Sequence, residues 1–399
     1  MTDHPSTRAF DAAVIGGGPS GLTAAIALAS AGANTALVAR NIPYADNRTT
    51  ALLGGSVELL ERLDVWHRCA AQSAPLEVMR LVDDTKRLIR APEVKFSALD
   101  IGRDAFGHNI ENRKLMEALE ARATELPNLT RFDADADGVT TGADDVTVTT
   151  RTGDTFHATL VVGADGRHSL CREAAGIATT HSDLPQSALT FTVTHSRPHK
   201  NVSTEFHTAQ GPCVFVPLPG DRSSVVWVAA PAEAERLMAL DDEALSAAVE
   251  AQAHHTLGRM SVEPGRHLFP LSIERLQAFA RNRIALVGEA AHVLPPIGAQ
   301  GLNMGLRDAS DLADIVAAAL AAGEDIGAPD ALLRYARARR SDVVSRTAVI
   351  DIANRSLLSD LLPMQIARSV GLQLIDAIGP LRRLAMREGL APSWRNSRA

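Results

Sequence analysis

The feature that most constrains this chain is a glycine cluster, Gly16-Gly17-Gly18-Pro19-Ser20-Gly21, set between an apolar run and an Ala/Leu-rich segment. Ala12-Ala13-Val14-Ile15 suits a buried parallel strand, Ser20 to Ala31 reads as a helix closed by Gly32, and Thr35 to Val38 reads as the next strand. Gly16, Gly18 and Gly21 fit G-x-G-x-x-G. Such a turn needs glycine because it is tight and because a pyrophosphate must come close to the backbone. The helix that starts there offers unpaired N–H groups and its positive end to phosphates. In this strand–turn–helix setting the pattern predicts nucleotide binding rather than a structural turn.

One expected part is missing. A carboxylate about 20 residues on usually grips the ribose, but the second strand ends Leu37-Val38-Ala39-Arg40, with Ala39 in that place. Either Arg40 or Asn41 holds the ribose instead, or the nucleotide is held less tightly.

Two further stretches repeat the theme of a buried strand running into a glycine turn. In Leu160 to Ser169 the turn is Asp165-Gly166, which taken alone is usually only a turn. In Val287-Gly288-Glu289-Ala290-Ala291-His292 a carboxylate follows the strand. The loop Pro296, Gly298, Gln300, Gly301, Leu302, Asn303 then opens a long Ala-rich helix, a second helix N-terminus able to face an electron-rich ligand.

Together, in this order, the three stretches resemble the class A flavin-dependent aromatic monooxygenases, the family with the para-hydroxybenzoate hydroxylase fold. The closer likeness is to the ubiquinone-biosynthesis hydroxylases of the 2-polyprenyl-6-methoxyphenol hydroxylase type. It is carried by Asp46-Asn47-Arg48-Thr49-Thr50-Ala51-Leu52, Gly55 to Leu60, Val65-Trp66, and the loop from Pro296 through Gln300-Gly301-Leu302-Asn303 to Arg307-Asp308. The resemblance implies FAD held by the first and third motifs, with Glu289 in place of an aspartate on the ribityl chain. It implies NAD(P)H binding near Asp165 and Gly166, Arg48 near the isoalloxazine and Arg113 near the phosphates. Ala299 stands where most members have the first glycine of Gly-Gln-Gly, with Gly298 one position earlier. The implied reaction is hydroxylation of a polyprenylated phenol by NAD(P)H and O2 through a flavin hydroperoxide. No protein acid or base stands out, since the cofactor carries the difficult step; Pro217 and Pro296 are the candidates for the substrate side of the ring. Two alternatives remain: hydroxylation of a small soluble aromatic, or a non-catalytic flavoprotein scaffold, which the changes at Ala39, Glu289 and Ala299 would favour.

The expected fold is α/β. A discontinuous Rossmann-like FAD-binding domain (1–72, 100–183 and 268–330) is joined to an antiparallel-sheet substrate domain (73–99 and 184–267) with α+β character, and 331–399 form a helical C-terminal region. Period-2 runs such as Leu189–Val193 and Ser224–Val228 carry the second assignment. With 46% hydrophobic and only 4% aromatic residues in 399, the core must be mostly aliphatic.

Charge is uneven. From Ala331 onward 12 Lys/Arg face 5 Asp/Glu, a local +7 that leaves −14 on residues 1–330. This basic end, with Leu362, Ile366, Val370 and Leu374 at helical spacing, is either a surface for anionic lipid or a partner complex, or a set of helices with solvated faces. Cys69, Cys171 and Cys213 form no disulfide or metal spacing, and no secretion signal or membrane span is legible. A cytoplasmic protein, with or without peripheral contact on the inner face of the membrane, is expected.

No nucleic-acid partner is implied, and no metal. The run Asp133-Ala134-Asp135-Ala136-Asp137-Gly138 resembles the start of a calcium loop, but its flanks read as strands, so it reads as an acidic hairpin. His195 and His199 have no third ligand in view and read as surface histidines.

Overall fold

The computed structural model describes residues 8–42, 44, 47–85, 92–296, 298–358, 379–380, 382–383 and 386. Asp46, Ile297 and most of the basic apolar segment from Leu361 to Leu390 lie outside the described residues.

The apolar run around Val14 becomes a strand, Ala9–Ile15, at the centre of the first sheet. It pairs in parallel with Thr155–Gly163 on one side and Thr35–Val38 on the other, and these pair in turn with Ile284–Leu286 and Leu129–Phe132. Being covered on both faces, these strands are apolar along their length rather than alternating: Ala12, Val14, Leu160, Val161 and Val162 are all fully buried. The acidic stretch continues into a hairpin, Ala136–Thr141 against Val146–Thr150, that extends this sheet.

Helix Pro19–Ser30 covers one face and meets helix Gln300–Ala321 through a small-residue contact. A Cβ on Gly305 would come within 2.2 Å of Ser20 Oγ and 3.1 Å of the Gly288 Cα, so the absence of a side chain there lets the two helices approach closely. Helix Pro329–Leu358 then packs behind Gln300–Ala321.

The second sheet runs in the order Met260–Val262, Thr179–His195, Arg222–Ala229, Pro212–Leu218, Val202–His207, Val78–Asp83, Val94–Ser97, with His267–Leu276 also paired to Thr179–His195. The domain cuts drawn at 183/184 and 267/268 therefore fall inside two long strands paired with each other. One face of this sheet (Leu189, Val193, Phe206, Cys213, Phe215 and Trp227) packs with Leu237, Leu245 and Val249 of helices Pro231–Met238 and Asp242–Gln252. Neither helix was read from the sequence. By the two-residue period of a strand, the alternate positions turn to the other face.

A three-stranded sheet, Thr49–Leu53, Gly107–Glu111 and Ser73–Pro75, packs against strand Pro212–Leu218 of the second sheet. Asn109 ties it to the second sheet, donating to the Pro217 carbonyl (2.9 Å) and to Ser224 Oγ (3.1 Å).

His195, expected at the surface, is buried. Its ring bridges the Arg197 carbonyl (2.9 Å) and Ser223 Oγ (3.1 Å), and burial pushes its pKa down. The strand end that carries it is covered by the neighbouring strand Met260–Val262, which local sequence could not reveal.

Candidate functional site

A cavity of about 990 Å³ opens between the loops that follow Ala9–Ile15, Thr155–Gly163 and Ile284–Leu286 of the first sheet and one face of the second. At one end it is made of backbone. Gly16 has φ +115°, and a Cβ there would meet the Ala164 carbonyl oxygen at 2.3 Å; a Cβ on Gly21 would meet the Gly16 oxygen at 2.0 Å. Gly18, by contrast, has nothing within 4 Å of where its Cβ would be, so its exposed side can be approached. Helix Pro19–Ser30 has no side-chain cap and no acid in its first turn. Its first N–H groups and positive end are thus open to an anion. Gly18 and Gly21 line the cavity.

The second uncapped helix, Gln300–Ala321, points its N-terminus into the same space, with Pro296, Gly298, Gln300, Gly301 and Leu302 on the wall. The shifted glycine has a visible consequence. Gly298 is left-handed (φ +64°), and so is Ala299 (φ +55°), where a Cβ is unfavourable. Arg48, Gly166, Gly288 and Glu289 also line the cavity, and Glu289 pairs with Arg167 at 3.3 Å. Two open helix ends and a glycine cradle fit the phosphates and polar chain of a dinucleotide such as FAD.

The remaining sequence candidates lie elsewhere. Arg40 points to solvent and pairs with Asp135 at 3.0 Å. Ala39 sits against the fingerprint, since a Cβ on Gly17 would meet its Cβ at 2.7 Å. Arg113 is half-exposed beside Glu111. Asp165 accepts from Ser169 Oγ (2.6 Å) and from the Cys171 N–H (3.1 Å), holding its own turn in shape. Asn303 is fully buried: its Oδ1 accepts from the Leu53 N–H and Ser56 Oγ, and its Nδ2 donates to the Ala51 and Ala299 carbonyls. It fastens the helix end to the strand that follows Arg48. Pro217 is buried and off the cavity wall, while its neighbour Val216 is on it.

The other end of the cavity is made of side chains. Register places Leu81, Glu205, Val214, Val226 and Thr190 in one row across the second sheet, and Met79, Ser203, Val216, Ser224 and Thr192 in the next. All ten line the cavity, with Phe96, Phe106, Phe269 and Met386 around them. Most of this surface is apolar. Sequence reading missed these rows, although the period-2 alternation was a usable signal.

A buried charge network props up the backbone end. Asp308 accepts from the Gly288 N–H (2.9 Å), lies 2.7 Å from His292 Nε2 and pairs with Arg339 at 2.6 Å. Arg339 also meets Asp311 and Asp342, and Asp342 holds Arg307 and Arg346. Arg346 and Arg307 both donate to Gln300 Oε1. Burial pushes the Asp308 carboxyl up, but Arg339 and His292 outweigh it and hold the group below its ordinary value. Burial brings Arg307 down to about 10, against the pull of Asp342. The spacing of Arg339, Asp342 and Arg346 on one helix face was the sequence signal for this network.

A family model described as "FAD binding domain" matches residues 9–349. Ubiquinone hydroxylase UbiL of Rhodospirillum rubrum is 34% identical over 390 residues, covering 96% of this chain and 90% of that one. The 3-demethoxyubiquinol 3-hydroxylase of Escherichia coli is 28% identical, with 98% and 100% covered. Among solved structures, p-nitrophenol 4-monooxygenase PnpA from Pseudomonas putida superposes with a TM-score of 0.77 at 18% identity, covering 96% of this chain and 98% of that one.

Proposed function

This chain belongs to the FAD binding domain family, and from that premise we propose that it hydroxylates the aromatic ring of a polyprenylated phenol in ubiquinone biosynthesis, with NAD(P)H as reductant and O2 as oxidant. The observation that carries the reading is the continuity of one cavity from a backbone cradle for the cofactor to a largely apolar floor. Two relatives that are aligned over nearly the whole chain, and whose names are those of ubiquinone-pathway hydroxylases, support the choice of substrate.

Bound FAD supplies the activation of O2 and the delivery of one oxygen atom; the protein has to bind, orient and exclude water. Gly16, Gly18 and Gly21 cradle the pyrophosphate, while Arg113, which is off the cavity wall beside Glu111, has no part in this cradle. Gly288 and Glu289 hold the polar chain, and the loop from Pro296 to Asn303 supports the ring together with Arg48. Asp165 and Gly166 shape the approach for NAD(P)H. Pro296 borders the reacting ring, whereas Pro217 acts only through its carbonyl bond to Asn109. Among the described residues no helix is long and apolar enough to cross a membrane. A bilayer-borne substrate would be met peripherally, and the outer face of helix Pro329–Leu358, with exposed Leu333, Arg337, Arg340 and Val344, suits such contact.

Lipid mass spectrometry of a strain lacking this protein tests the reading. A prenylated phenol one oxygen short is expected to accumulate. A normal quinone pool, with no second hydroxylase present, would overturn it.

A further inference from the structure

The floor of the cavity carries one feature that an apolar substrate alone does not explain. Apart from Glu289 at the cofactor end, Glu205 is the one carboxylate among the described cavity-lining residues. It sits in the middle of an apolar row, with Leu81 on the neighbouring parallel strand and Val214 on the antiparallel one. Its side chain is only 20% exposed. A carboxylate turned toward apolar surface is costly unless its oxygens receive hydrogen bonds.

One oxygen is provided for: His207, two residues on along the same strand, brings Nε2 to 2.8 Å from Oε1. Among the described residues no hydrogen bond reaches Oε2. An ionised carboxylate is an acceptor only, so what completes it must be a donor. The substrate class proposed above is apolar nearly throughout and has one strong donor, its phenolic hydroxyl.

We propose that Glu205 Oε2 accepts a hydrogen bond from the phenolic hydroxyl of the substrate and so fixes which edge of the ring is turned toward the cofactor. The assignment rests on the phenol-hydroxylase reading and adds the residue that recognises the phenol. His207 engages the other carboxylate oxygen and leaves Oε2 to the substrate; Val214, Val226 and Leu81 take the apolar parts beside it. A hydrogen bond to a charged acceptor in such surroundings is short and strong, and its loss is expected to weaken binding roughly ten- to a hundredfold.

The test titrates the FAD-loaded protein with a geranylated phenol and with its methyl ether, following the change in flavin absorbance. The ether keeps the shape and loses the donor. The wild-type protein is expected to bind the phenol roughly ten- to a hundredfold more tightly than the ether. Glu205→Gln should lose most of that preference while keeping its FAD content and its affinity for the ether. Glu205→Asp, which withdraws the oxygen by one methylene, should lose it in part and serves as the second variant if the first does not fold. Equal binding of phenol and ether by the wild type, or an undiminished preference in either folded variant, overturns the role of Glu205 and leaves the hydroxylase reading standing. If neither compound perturbs the flavin of the wild type, the hydroxylase reading falls and the assignment of Glu205 falls with it.

Discussion

The two ends of the cavity are built on different principles. The cofactor end is backbone: Gly16 and Gly21, where a side chain would run into main-chain oxygens, and two helix N-termini with no side-chain cap. The sheet end is side chain: two rows of residues selected by strand register, any of which the backbone would allow to be something else. A backbone site tolerates few sequences and so fixes what is bound. A side-chain floor tolerates many, and so can be retuned to a different ring without disturbing the cofactor.

The largest effect expected from breaking this contrast lies beneath the backbone end. Arg339→Met leaves Asp308, Asp311 and Asp342 without their shared cation, and losing one partner of a buried ion cluster costs about 3–5 kcal/mol. Urea unfolding should show that loss, together with release of FAD, because Asp308 holds the Gly288 N–H and the same cluster reaches Gln300. FAD affinity unchanged in a folded Arg339→Met protein would mean that the network does not support the cradle.

Gly21→Ala comes next. Its added carbon would lie 2.0 Å from the Gly16 oxygen, an overlap that backbone must absorb at about 1–3 kcal/mol. Equilibrium dialysis should find FAD held roughly ten- to a hundredfold more weakly. On the floor, Val226→Thr exchanges a methyl for a hydroxyl in the apolar row. It should weaken a prenylated phenol by about fivefold, near the value of one buried methyl group, and leave the FAD dissociation constant alone. A floor substitution that moved FAD affinity as much as Gly21→Ala would erase the distinction between the two ends.

Ala299→Gly runs in the opposite direction. Relief of a left-handed alanine should raise stability by about 1 kcal/mol, read as a higher melting temperature. The smallest effect concerns pH. Burial lowers the pKa of His195 in the folded state, so its contribution to stability is present above the unfolded value near pH 6.5 and is lost as the pH falls toward the folded value. His195→Gln should flatten the decline in melting temperature between about pH 7 and 5.

The same contrast explains what the sequence disclosed. The strand–turn–helix around Gly16 to Gly21 was legible because the positions are fixed by steric exclusion, and so was the open N-terminus after Gln300. The floor was not, because Glu205 and Val214 are nine residues apart and meet Val226 and Thr190 only through pairing of separated strands. Arg40, expected to hold the ribose after the second strand, pairs instead with Asp135, and Asp165, expected beside NAD(P)H, also holds its own turn in shape. His195 looked superficial because nothing local announces that the strand Met260–Val262 will cover it.

The most direct measurement is mass spectrometry of the product formed by the FAD-loaded protein from a prenylated phenol, NAD(P)H and isotope-labelled dioxygen. A product heavier by one labelled oxygen atom on the ring is the result expected of a cofactor cradle joined to a phenol floor. Consumption of NAD(P)H that yields only hydrogen peroxide, with the phenol unchanged, would contradict it.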